Sequence, residues 1–200
     1  MASTKRETYH HGDLRAALLD VAAEMIAAGG IESVTLRALS ERTGVSRTAP
    51  YRHFADKSVL LAAVAEEGFK RLLQHLRAVE QREGDVLTRF QQMGVAYIQF
   101  AVENPTHYRL MFSHERAQHD AHPGLAAAGK AVFDSLVTGI QACQAAGRMR
   151  AGDPRGLAYV AWATVHGLAS LLIDGQLRAP GDVGELAAFT TQRLLEGLAA

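Results

Sequence analysis

The chain holds one cysteine, Cys143, among 200 residues, so no intrachain disulfide can form and stability must come from packing. It has no excess of charge of either sign: 21 basic residues face 21 acidic ones, which argues against a protein that coats nucleic acid through bulk charge. It lacks any stretch of about eighteen or more uncharged apolar residues, and Glu7, Asp13, Asp20 and Glu24 interrupt the region where a signal peptide needs an apolar core. A soluble cytoplasmic protein with no membrane partner is expected. There is no nucleophile paired with a base, no pair of carboxylates on rigid elements and no phosphate-cradling glycine loop, so neither an enzyme nor a bound cofactor is expected. Alternating runs bounded by hairpin turns are also missing, which excludes a sheet.

What remains is helical in period, and the 48% hydrophobic content suffices for a sizeable core. Leu14, Leu18, Val21, Ala22, Met25 and Ile26 mark a first helix over about 13 to 28, stopped at Gly29-Gly30. A short helix over Thr35 to Thr43 ends at Gly44, and a third runs from the cap Ser46 to Phe54. Asp56 caps a long fourth helix reaching about residue 80, long enough to join two domains, 1–57 and 58–200. Further helices are expected over 86 to 101, from Pro105, and over about 124–146, 154–174 and 183–198. The expectation is an all-α chain of nine helices.

Positive charge is local. Arg37, Arg42, Arg47, Arg52 and Lys57 face only Glu41 and Asp56 between residues 35 and 57. There Leu36, Leu39 and Val45 can turn to a core, Ser40 permits a close helix crossing, and Gly44 can take positive φ in the turn. Those are the demands of a helix-turn-helix, whose second helix enters the major groove. On that second helix Arg47, Thr48 and Arg52 can meet base edges or phosphates, while Tyr51, His53 and Lys57 suit phosphates. Thr35 and Arg37 open the bracing helix, where exposed backbone N–H groups favour a phosphate. Pro50 falls in the first turn, where it should not oppose helix formation. The competing reading is a solvated charged face between two ordinary helices.

The segments YHHGDLRAALLDVAAEMI, TLRALSERTGVSRTAPYRHF and ADKSVLL resemble the DNA-binding domain of the TetR/AcrR family of bacterial regulators, over residues 9 to 69. That resemblance implies DNA contacts from Thr35, Arg37, Arg47, Thr48, Tyr51, His53 and Lys57, a homodimer on a palindromic operator, and release by a small-molecule effector. Pro50 and Ser40 stand where leucine and alanine are usual in the family. Trp162-Ala163-Thr164-Val165-His166-Gly167 and the stretch Asn104 to Phe112 resemble a subgroup with a Trp-x(3)-His-Gly signature.

In the helix at about 154–174 one face reads Leu157, Val160, Ala161, Thr164, Leu168 and Leu171, and the other Tyr159, Trp162, His166, Ala169 and Ile173. A helix apolar on two sides must be buried on two, either within a monomer or against a second subunit with the last helix (Leu186, Phe189, Leu194, Leu198). Met93, Tyr97, Phe100, Tyr108, Met111, Phe112, Phe133, Trp162 and His166 form either plain core or the lining of an effector cavity. His114, His119 and His122 with Glu115 and Asp120 could bind a divalent metal, but they lie in a stretch, Ser113 to Gly124, that reads as a loop, and no metal is expected. Cys143 reads as a small buried hydrophobe rather than a redox sensor, and His10-His11 as an anchor for the N-terminal arm.

Overall fold

Capping side chains and glycines cut the chain into its elements. In the computed structural model, which describes residues 11–112, 121–178 and 181–198, helix α1 (His11–Gly29) ends at Gly30 and is followed by a 3-10 turn, Ile31–Ser33. Helix α2 (Leu36–Thr43) starts where the Thr35 hydroxyl accepts from Ala38 N–H at 3.0 Å and stops at Gly44, which adopts φ 71° as its left-handed C-cap. Asp56 caps α3 (Lys57–Glu80) by accepting from Val59 N–H at 2.9 Å, and Asp85 caps α4 (Val86–Glu103) through Thr88 N–H. Proline opens α5 (Pro105–Met111), α6 (Pro123–Ala145) and α7 (Pro154–Ile173), where its missing N–H costs nothing. The chain closes with α8 (Val183–Leu198).

The described residues therefore hold eight α-helices, not nine. The expected third helix, Ser46 to Phe54, is a tight turn followed by a 3-10 segment, Pro50–Arg52. Proline is the cause: with Ser46 as cap, residue 50 is the first whose N–H would close an α-helical bond, to the Ser46 carbonyl, and Pro50 has none to give. Ser46 O instead accepts from Ala49 N–H at 3.0 Å, and Arg52 N–H reaches Ala49 O at 3.2 Å. An α-type bond returns only at Phe54 N–H to Pro50 O, 2.9 Å.

The N-terminal elements close on a small core in which Leu18, Ala22, Leu39 and Phe54 are buried, with the Arg15 guanidinium over the Phe54 ring at 5.6 Å. That core is continuous with the α3 residues Leu60 and Val64 and then with Leu72, Tyr97, Tyr108 and Met111. A second cluster gathers Phe90, Ile140, Cys143, Met149, Ala158 and Leu195 at the far end of the bundle. Burial pushes the Cys143 thiol up from its ordinary range, which keeps it protonated and poorly nucleophilic. Helix α7 has the length and composition of a membrane span, but its residues Ala158, Ala161, Val165, Leu168 and Ala169 are buried against α4, α6 and α8.

The division of α7 into faces differs from the sequence expectation. Ala161 and Leu168, read as lying beside Val160 and Leu171, point inward, whereas Val160 and Leu171 are exposed at 50% and 42%. A helix of 3.6 residues per turn separates residues one apart by about 100°, so neighbouring apolar positions need not share a face. On α8, Phe189 is exposed at 60%, while Leu186 packs on the core and Leu194 on the second cluster.

Candidate nucleic-acid interface and apolar cavity

Between residues 35 and 57 lie five cations whose surroundings sort them into two groups. Arg37 pairs with Glu41 at 3.0 Å, Arg42 approaches Glu24 at 4.0 Å and Lys57 pairs with Glu32 at 3.3 Å. Arg47 and Arg52 are exposed and make no ion pair among the described residues. Of these five, the two without an ion pair thus sit on the segment after Gly44, together with exposed Thr48 and Tyr51, the latter 56% accessible. A large aromatic left in water beside two unpaired guanidinium groups suits a polyanionic surface bearing flat apolar edges.

Structure beneath the segment fixes its position. Pro50 and Phe54 are buried, so the two residues between them, Tyr51 and Arg52, are forced outward, while His53 is half-buried with its ring 6.2 Å from that of Phe54. Ser40 is 1% exposed and its hydroxyl donates to Arg37 O at 2.7 Å, satisfying the one polar group at the crossing of α2 with the core. Thr35 accepts from Ala38 N–H, which leaves its own hydroxyl proton available to a phosphate. All eight sequence-derived residues, Thr35, Arg37, Arg47, Thr48, Tyr51, Arg52, His53 and Lys57, lie in this unit, but Lys57 and Arg37 are engaged with carboxylates.

The C-terminal bundle holds a cavity of about 530 Å³ between α3, α4, α5, α6, α7 and α8. Of the sequence-derived residues Met93, Tyr97, Met111, Phe112, Phe133 and Trp162 line it. Phe100, Tyr108 and His166 do not: Phe100 turns to His75, with ring centroids 6.2 Å apart, and the other two stand behind Tyr97. Sequence reasoning missed Phe69, Phe90, Gln91, Lys130, Arg155 and Tyr159, which also line it. Phe90 and Phe69 had a signal, their aromatic character; the polar ones had none, since charge on a helix ordinarily reads as solvated surface.

Behind the wall runs a polar chain. Trp162 Nε1–H donates to the Tyr97 hydroxyl at 3.4 Å, the Tyr97 and Tyr108 hydroxyls are 3.3 Å apart, and Tyr108 lies 2.6 Å from His166 Nδ1. Burial holds His166 below its ordinary range and Tyr108 above it, and burial followed by the neighbouring Tyr108 drives Tyr97 well above. The shifts favour the neutral form of each group, as hydrogen-bonding partners. Of the suspected metal cluster, His114, Glu115, His119 and Asp120 lie outside the described residues, and His122 precedes α6. His10 likewise lies outside them, as does the side chain of His11.

The arrangement agrees with known proteins. Residues 18–64 match the family model for bacterial regulatory proteins of the tetR family, and residues 90–194 match the tetracyclin repressor-like C-terminal domain. The chain is 29% identical over 99 residues to the nucleoid occlusion factor SlmA of Marinomonas sp. (strain MWYL1), covering 50% of each protein. It is 32% identical over 92 residues to the uncharacterized HTH-type transcriptional regulator YobS of Bacillus subtilis (strain 168), covering 46% of this chain and 47% of that protein. The chain thus spans about half the length of these curated relatives. A protein of unknown function from Rhodococcus sp. RHA1 superimposes with TM-score 0.85 at 37% identity, over 98% of this chain and 100% of that one. A TetR-family transcriptional regulator from Pectobacterium atrosepticum superimposes with TM-score 0.71 at 24% identity, over 95% and 96%. With an N-terminal and a C-terminal family model together spanning most of the described residues, the chain belongs to the tetR family of bacterial regulatory proteins.

Proposed function

We propose that the protein is a cytoplasmic, sequence-specific transcriptional repressor that binds a palindromic operator as a homodimer and is released by a small molecule. The observation that carries the reading is the pair of unpaired arginines, Arg47 and Arg52, displayed with Thr48 and Tyr51 on one exposed segment. Arginine matches the O6/N7 edge of guanine bidentately, and a segment held by buried Pro50 and Phe54 presents it at a fixed angle. Thr35, Arg37, His53 and Lys57 would set register on phosphates, the last by exchanging its exposed carboxylate partner, a swap of small cost.

One such unit makes few base contacts, so two are needed about one helical turn apart. Val160, Ala163, Gly167 and Leu171 follow one another at three- and four-residue steps along the outer side of α7, and Phe189 is exposed on α8. This stripe supplies the face for the second subunit. The cavity would hold the effector, with α3 as the lever: its Phe69 lines the cavity, and its Arg71 bonds Asp20 of α1 at 2.6 Å.

Selection of bound sequences from random duplex DNA tests the reading. A palindrome with half-sites about 34–36 Å apart is expected; no preference over bulk competitor at moderate salt would overturn it. The likeness to nucleoid occlusion factors favours a second reading, a DNA binder that acts in nucleoid occlusion rather than on transcription, for which deleting the gene would leave transcript levels unchanged.

A further inference from the structure

We propose that the cavity takes an organic anion with an extended apolar body, its head held at the mouth by Arg155 and Lys130; this rests on the reading of the cavity as the effector site. The walls are mostly phenylalanine, leucine, methionine and valine, and among the polar side chains Gln91, Thr191 and Trp162 direct donors to protein acceptors. Gln91 donates to the Ala188 carbonyl at 3.3 Å, Thr191 to the Ala187 carbonyl at 2.8 Å, and Trp162 to Tyr97. A ligand with many polar groups along its body would find few partners for them, and leaving them unpaired is costly. The body must be apolar.

The mouth has the opposite character. Among the described residues that line the cavity, Lys130 of α6 and Arg155 of α7 are the two charged ones, and no described carboxylate joins them in the lining. Both are exposed, so they stand where the cavity meets water. Arg155 lies over the Phe133 ring at 5.2 Å and makes no ion pair among the described residues, while Phe133 reaches Tyr159 and Trp162 at 5.2 and 5.9 Å. The guanidinium is therefore placed by aromatic packing with its donors unspent. Lys130 is shared with Asp134 one turn along α6, an exposed pair that a competing anion can displace. Asp153, the nearest acid in sequence to Arg155, is committed to the backbone N–H groups of Arg155 and Gly156, both at 3.0 Å. An anion entering tail first satisfies both ends; a cation of the same shape meets like charge.

The test uses the full-length protein and the emission of Trp162, the single tryptophan, which lines the cavity. Dodecanoate, dodecanol and dodecylammonium are titrated below their micelle-forming concentrations. Dodecanoate should bind about threefold to tenfold more tightly than dodecanol, as expected for a partly exposed charge pair, and dodecylammonium more weakly than either. The double variant Arg155→Gln/Lys130→Gln should lose the preference for the acid and keep its affinity for the alcohol, whereas Arg77→Gln, exposed and away from the cavity, should retain both. Equal affinity for acid and alcohol, a preference that survives the double variant, or no binding of dodecanoate would each overturn the proposal. Operator affinity measured alongside separates the two ideas. Selective binding of dodecanoate with no change in operator affinity upholds the ligand class and removes the effector role.

Discussion

The Tyr108 hydroxyl lies 2.6 Å from Nδ1 of His166, joining the short helix α5 to the middle of α7. The Tyr97 hydroxyl, which accepts from Trp162 Nε1–H, lies 3.1 Å from the same Nδ1, so two hydroxyls converge on one ring nitrogen, an arrangement suited to an acceptor Nδ1 on the neutral imidazole that burial favours. The effect on stability follows in sign. His166 is held below its ordinary 6.5 by burial, as is His107 by burial and then by Arg71, against the opposing pull of Asp20 and Glu67. As pH falls through about 6.5 the unfolded chain takes up these protons before the folded one, so stability decreases toward acid. Urea midpoints should decline between pH about 7.5 and 5.5, and His166→Gln should flatten the decline. A midpoint that does not vary over that window contradicts the neutral assignment.

The exposed arginines give a prediction specific to DNA reading. Arg47→Ala and Arg52→Ala should leave the melting temperature within a degree or so, because both side chains are exposed and neither makes an ion pair among the described residues. A base-reading arginine should cost about 1–3 kcal/mol on the cognate operator and relax preference at one base pair; a phosphate-binding one should weaken all sequences alike and lower the salt slope by about one. Competition binding at two salt concentrations tells these apart.

Gly68 is the narrowest point between α3 and α5, since a Cβ there would stand 2.8 Å from the Met111 sulfur and 3.2 Å from the His107 Cβ. Gly68→Ala should destabilise by about 1–3 kcal/mol through overpacking. Met111→Ala in the same chain should recover part of that loss, which a double-mutant cycle in urea would read as a coupling of opposite sign. Strict additivity would mean that α5 moves aside freely.

The outer stripe of α7 and α8 should behave as a subunit face. Leu171→Glu combined with Phe189→Glu places charges where the side chains are 42% and 60% exposed, so a monomer keeps its fold. Sedimentation should then show the monomer, and operator affinity should fall by at least about a hundredfold as the linked second half-site is lost. A variant that still sediments as a dimer would move the interface elsewhere.

The chain's local chemistry set most of its elements and the composition of its reading head. The 3.6-residue period, Gly44 in the left-handed region and the cap Asp56 act within a few residues of themselves and stand where the sequence placed them, while Thr35, read as the first residue of α2, is its cap. The 3-10 form of Pro50–Arg52 was missed by the sequence reading, which expected a helix there, although its cause is local: one missing N–H at a position counted from Ser46. Contacts between distant segments were not legible. Which of the five cations lose their charge to Glu24, Glu32 or Glu41, why Phe100 turns from the cavity that Phe69 and Phe90 help to line, and how Lys130 and Arg155 come to one mouth all depend on how helices pack. Sequence separation carries no information about the angle at which two helices meet, and only the folded chain fixes that angle.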